Sequence, residues 1–153
     1  MIVARRFAVA LGAAFSFAVP PAAALERPES ATSPEQNYVL FCGGCHGVAG
    51  DGVARRVPAL KDTLGRFLRV DGGRELLLYF PGVANSQLTD TALAAVMNWC
   101  IERFAGADRP AGLRPYTASE VREARANPQL NIQRSRREIM VRAGVPADAA
   151  ATY

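Results

Sequence analysis

The sequence predicts an all-α fold with long connecting loops. Two capping patterns place a Ser or Thr three residues before a Gln or Glu, and the segment TDTALAAVMNWCIERF repeats apolar residues at steps of three and four. No run alternates apolar and polar residues as a half-buried strand does, and no internal repeat or phosphate-binding loop is present. The length of 153 residues suits one domain.

The beginning of the chain is typical of a secretory signal peptide. Arg5 and Arg6 precede a short apolar run from Phe7 to Val19, and Ala22-Ala23-Ala24 follows as an A-x-A cleavage site. The run is shorter than the roughly 20 residues that a spanning helix needs, and no later uncharged segment approaches that length. We therefore expect residues 1–24 to be a cleaved signal peptide, the mature protein to be exported, and no integral membrane segment.

The charge balance argues against a nucleic-acid partner. The formal net charge is +4, and it falls to +2 when the two arginines of the signal peptide are removed. The remaining charge is unevenly distributed along the chain, because residues 109–153 are basic and residues 25–108 are slightly acidic. A charge this small on an exported protein does not indicate a polyanion-binding surface.

The pattern Cys42-Gly43-Gly44-Cys45-His46 is the C-x-x-C-H attachment site of c-type haem. Two thiols at this spacing can add to the two vinyl groups of one porphyrin, and the adjacent imidazole can supply an axial nitrogen to the iron. A thioredoxin-like redox pair would need a βαβ context, and a zinc site needs four ligands, whereas His46 is the only histidine. One such motif predicts one covalently attached haem c with His46 as the proximal axial ligand.

The first helix is predicted from its start signal. Ser33-Pro34-Glu35-Gln36 offers an N-cap, a proline at the first helical position and a capping box. We expect this helix to run to about Cys42, with Tyr38 and Phe41 facing inward. Residues 43–64 are rich in glycine and predict a loop.

Two short helical segments and one long helix are predicted next. Gly65–Val70 and Glu75–Phe80 are separated by a glycine pair, and residues 81–86 predict a loop. Thr89 is the predicted N-cap of the amphipathic helix, which Gly106 ends. Its apolar face carries Leu93, Val96, Met97, Cys100 and Phe104.

The remainder of the chain predicts a strap and two helices. Residues 107–116 contain two prolines and predict an extended strap, and Thr117-Ala118-Ser119-Glu120 is a second capping box before a helix that Pro128 ends. Residues 131–144 predict a last helix. Its arginines could grip an acidic partner, but the helical spacing of Leu130, Ile132, Ile139 and Met140 favours a cap that packs over the rest of the molecule.

Over residues 33–105 the chain resembles a class I c-type cytochrome. In that family the helix that ends in C-x-x-C-H crosses the last helix of the domain through a pair of aromatic residues, and Tyr38 and Trp99 occupy these places. The family also has a proline whose carbonyl accepts the second ring N–H of the axial histidine, and Pro58 matches it. The resemblance implies a cytochrome c haem domain over residues 25–105, with residues 106–153 as a helical extension.

The sixth ligand of the iron departs from the family pattern. Class I cytochromes usually place a methionine in the loop before the last helix, and Val83 holds that position here. Met97 and Cys100 lie three residues apart on the apolar face of that helix and are the candidate sixth ligands; either could instead be core. Another group or an open site is the remaining alternative, and the chain also offers Met140 and Lys61.

The resemblance implies an electron-transfer protein rather than an enzyme. We expect a periplasmic mono-haem carrier that moves single electrons from a periplasmic dehydrogenase to a downstream cytochrome or oxidase. An open sixth site would instead favour binding of NO, CO or peroxide, and a third alternative is the haem subunit of a periplasmic enzyme complex.

Arginines near the motif could pair with haem propionates or a docking partner, or could be solvated: Arg55, Arg56, Arg66, Arg69 and Arg74.

Overall fold

The computed structural model describes residues 32–144, apart from residues 55, 62 and 130. The predicted signal peptide of residues 1–24 lies outside the described residues, as do the predicted contributions of Arg55 and Leu130. The described range contains eight α-helices and one 3₁₀ turn, and its only β pairing is an isolated bridge between Val53 and Val57. The predicted all-α class is confirmed.

The helices follow one another with short connections, except for the long segment after the second helix. None of the described helices is long and apolar enough to cross a membrane. In chain order they are α1 (Pro34–Phe41), α2 (Gly43–His46), α3 (Leu64–Leu68), α4 (Gly73–Leu77), α5 (Pro81–Ala84), α6 (Asp90–Phe104), the 3₁₀ turn (Gly106–Asp108), α7 (Ala118–Ala126) and α8 (Ile132–Arg142).

The start of α1 forms as its capping box predicts. The Ser33 hydroxyl accepts a hydrogen bond from the backbone N–H of Gln36, and the Gln36 side chain accepts one from the backbone N–H of Ser33. Tyr38 is fully buried, as expected. Phe41 is also expected to face inward. It lines a cavity, but it is 43% exposed, so the prediction is only partly correct.

Two short helices lie where the sequence predicts loop. The first is α2, which forms because the amides of Cys45 and His46 both bond to the carbonyl of Cys42. The second is α5, where the amides of Val83 and Ala84 bond to the carbonyl of Phe80, each at 2.8 Å. Each is a single turn, too short to produce the apolar period on which the sequence prediction depends.

The long helix α6 is confirmed from its cap to its end. The Thr89 hydroxyl accepts the N–H of Ala92, and the helix ends at Phe104. It crosses α1 at Tyr38, whose ring centroid lies 5.1 Å from that of Trp99 and 5.3 Å from that of Phe104. Aromatic pairs at these separations stabilise a contact beyond the apolar area that they bury.

The extended strap after α6 is held by buried polar groups. The Tyr116 hydroxyl donates to the carbonyl of Arg74 at 2.6 Å, and the Asn98 side chain both donates to and accepts from the backbone of Tyr116. The Arg74 guanidinium donates to the carbonyls of Arg114 and Pro115 and to the carboxylate of Glu120. Arg74 is 9% exposed, so it is a buried anchor of the strap and not a solvated surface group.

A second arginine fastens α7 to α6. Arg125 pairs with Asp90 at 2.7 Å and also donates to the carbonyls of Ala84, Ser86 and Leu88 in the segment before α6. These bonds satisfy backbone carbonyls that would otherwise lack partners near the helix start. Helix α7 is thereby tied to both α6 and α5.

The last helix packs as a cap over the rest of the molecule. Ile139 and Met140 are buried at 5% and 4% exposure, and Ile132 is half-buried. The end of α8 is held where Arg142 donates to the carbonyl of Asp71. The cap interpretation is therefore confirmed for the described residues.

Replacing Arg74 should destabilise the fold strongly. Arg74→Met keeps much of the apolar stem but leaves the strap carbonyls and Glu120 without their main donor, so we expect a loss of about 3 kcal/mol in the free energy of unfolding. Urea denaturation measures it. Arg66→Ala is the matched control, because Arg66 and its partner Asp108 are substantially exposed and such pairs contribute at most about 1 kcal/mol. Equal losses in the two variants would contradict a special role for Arg74.

The Arg74–Glu120 pair should also produce an acid dependence of stability. The hydrogen bond from Arg74 lowers the pKa of Glu120 from 4.5 to about 2. A depressed carboxyl pKa contributes stability that is present above the unfolded value and is lost as the pH falls from about 4.5 towards 2. The stability difference between the parent and Glu120→Gln should therefore shrink over this range in pH-dependent denaturation, whereas a constant difference would contradict the pair. Glu123→Gln, on an exposed side of the same helix, is the control for charge removal.

Candidate functional site

The helices surround a cavity of about 350 Å³ that opens to the surface. This volume lies in the range of small-molecule and cofactor sites. Most of its lining is apolar, which favours a largely apolar occupant. The apolar lining includes Phe41, Leu64, Phe67, Leu77, Phe80, Val83, Leu93, Val96 and Ile101.

Both cysteines of the C-x-x-C-H motif lie on one wall of this cavity. Cys42 is the residue that joins α1 to α2, and Cys45 lies one turn later in α2. Both are free thiols rather than halves of a disulfide. The wall therefore presents two thiols, close together in sequence, to one apolar space.

The imidazole of His46 is oriented by the backbone of Pro58. Its Nδ1 lies 3.1 Å from the Pro58 carbonyl oxygen, which can only accept, so Nδ1 carries the proton and Nε2 has a free lone pair. Burial lowers the pKa of His46, and the bond to Pro58 raises it in part. Both the tautomer and the neutral form suit an imidazole that binds a metal ion.

The position of the Pro58 carbonyl depends on a tight loop. Val53 and Val57 exchange two backbone hydrogen bonds, and the amide of Gly52 donates to the carbonyl of His46 at 2.8 Å. Gly52 has a φ of 65°, and a Cβ there would collide with the carbonyl of Val57. A side chain at Gly52 would therefore displace the backbone that orients His46.

Tyr38 connects the helix crossing to the motif. Its hydroxyl donates to the carbonyl of Gly47, the residue after His46, at 2.6 Å. Burial raises the pKa of Tyr38 to about 12, so the hydroxyl keeps its proton for this bond. The same side chain thus packs against α6 and holds the end of α2.

Both sixth-ligand candidates of α6 lie at the cavity. Met97 and Cys100 are 8% and 7% exposed and belong to its lining. Burial raises the pKa of Cys100, which favours the thiol over the thiolate that binds metals. The position of Val83 on α5 also lines the cavity but provides only an apolar side chain.

Sequence reasoning named Met140 as part of a cap and as a possible ligand, but it missed Gln133 and Arg136 at this site. Gln133, Arg136 and Met140 line the cavity, although they lie far from the motif in sequence. Their spacing of three and four residues marks one helix face, but spacing alone does not tell what that face meets.

Most of the predicted arginine candidates lie elsewhere. Arg56 lines the cavity. Arg66 and Arg69 pair with Asp108 instead. Position 55 lies outside the described residues.

The residues present fit a covalently bound haem c. Two free thiols, a neutral imidazole with its Nε2 available and a largely apolar cavity are the groups that such a cofactor requires. Among the described residues, no three His, Cys, Asp or Glu side chains cluster closely enough to hold a metal ion by themselves.

Comparison with known proteins agrees with this chemistry. The chain is similar to cytochrome c-552 of Thermus thermophilus, with 34% identity over 103 residues that cover 56% of this chain and 79% of the relative. A second cytochrome c-552, from a particular strain of the same species, is also 34% identical over 103 residues, which cover 56% of this chain and 70% of that protein. No protein-family model matches the chain.

Removing the Tyr38 hydroxyl should weaken the connection between the crossing of α1 with α6 and the C-x-x-C-H motif. Tyr38→Phe keeps the ring contacts but leaves the Gly47 carbonyl without its donor, so we expect a loss of about 1 to 2 kcal/mol in the free energy of unfolding. Chemical denaturation measures the loss. Tyr79→Phe is the control, because the Tyr79 side chain is half-buried and its hydroxyl makes no hydrogen bond within the described part of the chain. An unchanged stability of Tyr38→Phe would show that the bond is dispensable.

Proposed function

The chain belongs to the family of c-type cytochromes, which are electron-transfer proteins, and from this premise we propose that it is an exported, periplasmic mono-haem carrier of single electrons. The observation that supports the proposal is the common location of both thiols and the oriented imidazole at one apolar cavity. Residues 25–105 form the haem domain in this proposal, and residues 106–153 are its extension.

Each residue of the proposed site has a separate role. Cys42 and Cys45 would hold one haem c through two thioether bonds, and His46 would bind its iron as the proximal ligand. The Pro58 carbonyl keeps the ring of His46 in one orientation and one tautomer. The contact of Tyr38 with Trp99 holds the two helices that enclose the cofactor. On α6, Met97 and Cys100 are the candidate sixth ligands proposed from the sequence.

The mechanism is outer-sphere electron transfer. When bound, the haem supplies the redox chemistry, and the chain supplies burial, ligation and a docking surface. The apolar lining would keep most of a bound haem away from water, while the opening of the cavity would leave part of it near the surface, where a redox partner can dock. Arg56, an exposed residue of the cavity lining, can pair with a propionate or with an acidic group of a redox partner. We propose a periplasmic dehydrogenase as donor and another cytochrome or an oxidase as acceptor.

A second candidate function follows from the apolar side chain at Val83. If no side chain binds the sixth position, the iron would be open to NO, CO or peroxide, and the protein would bind small ligands. A stable complex on purification would instead favour the haem subunit of an enzyme.

Covalent haem attachment is the direct test of the proposed function. The protein made together with a c-type maturation system should gain the mass of one haem and keep it after denaturation, and it should be reduced and reoxidised reversibly by one electron. The double variant Cys42→Ala with Cys45→Ala should carry no covalent haem, whereas Cys100→Ala should keep it because its thiol lies outside the motif. A parent protein without covalent haem would overturn the proposal.

A further inference from the structure

We propose that the thioether sulfur of Met140, on helix α8 of the C-terminal extension, is the sixth axial ligand of the haem iron. This inference rests on the proposed haem site, with His46 as the ligand on the other side. It assigns to the extension a direct part in the redox centre rather than a covering role alone.

The location of α8 relative to the motif supports this assignment. Helix α8 packs on α4, and the Arg136 guanidinium lies 6.0 Å from the ring centroid of Phe80, just before α5. Helix α2, which carries Cys45 and His46, packs on α1 instead. The motif and α8 therefore belong to different walls of one cavity, and an axial ligand must approach the iron from the side opposite His46.

The orientation of α8 directs Met140 into that cavity. Gln133, Arg136 and Met140 are separated by three and four residues, lie on one helix face and all line the cavity. Arg136 and Met140 are 6% and 4% exposed, whereas Arg137 and Glu138, on the other side of the helix, are exposed. Met140 is therefore not a surface residue that happens to lie near the opening.

The cavity wall formed by α8 and the neighbouring segment 80–83 offers few side chains that can bind iron. The neighbouring segment from Phe80 to Val83 contributes only apolar side chains and glycine to the cavity. Among the described residues that α8 adds, Gln133 offers an amide, and Arg136 offers a cation that has no free lone pair. Met140 brings the one sulfur of this wall, and a thioether binds haem iron while remaining neutral and buried.

The two alternatives on α6 lie near the crossing of α6 with α1. Tyr38 of α1 contacts Trp99, and Cys100 is the next residue of α6. Met97 is one turn away on the same helix, and both side chains line the cavity. Both then pack against the cofactor as buried apolar residues.

The test compares full-length haem-loaded variants by spectroscopy. The parent ferric protein should be low-spin and show the weak red absorption band of a thioether-bound haem, and the ferrous protein should show a strongly shifted methionine methyl resonance by NMR. Met140→Leu should lose both signals, bind CO readily in the ferrous state and shift to a lower reduction potential, because a Met/His pair raises the potential. Met97→Leu and Cys100→Ala should keep both signals.

Controls separate loss of the ligand from damage to the fold. Ile139→Val makes a conservative change at a buried neighbour of Met140 that does not line the cavity, and it should leave both signals unchanged. Met140→His should give a six-coordinate, low-spin iron without the red band, which a misfolded variant would not do.

The possible failures are distinguishable. Retention of the red band in Met140→Leu, or its loss in Met97→Leu, would overturn the assignment, as would a parent protein with covalent haem but no thioether signals. A parent protein without covalent haem would overturn the proposed function itself.

Discussion

The contact between Tyr38 and α6 is the interaction on which the cavity and the position of the C-x-x-C-H motif depend. Tyr38 is fully buried, and its ring meets both Trp99 and Phe104, which fixes how α1 crosses α6. Its hydroxyl bonds to the carbonyl of Gly47 and so connects the crossing to the end of the motif. One side chain therefore sets the cavity wall formed by α6 relative to the wall that carries the thiols and the imidazole.

Two arginines, one buried and one half-buried, stabilise the strap and α7 in a similar way. Arg74 joins α4 to the strap through backbone carbonyls and Glu120, and Arg125 joins α7 to the start of α6 through Asp90. A buried guanidinium is costly unless it is fully paired, and here several carbonyls and one carboxylate share it. The strap and α7 are therefore tied to α4 and α6, and α8 follows them with Gln133, Arg136 and Met140 in the lining of the cavity.

The sequence predicts the features that depend on local interactions better than those that depend on residues distant in sequence. The capping boxes at Ser33 and Thr117 and the long apolar period of α6 are local signals, and the structure confirms all three. The single turns α2 and α5 contain no complete apolar period, so the sequence predicts loop at both places. The partial exposure of Phe41 and the burial of Arg74 depend on residues distant in sequence, which local patterns do not report.

The sequence by itself determined the all-α class and the candidate chemistry of Cys42, Cys45 and His46, because residue type and spacing within five positions define that motif. It also marked Pro58 through a family resemblance. Only the tertiary structure decided that the Pro58 carbonyl meets His46 and that Met140 faces the same cavity as the motif. The physical reason is that a helix face has no meaning for function until packing shows what lies opposite it.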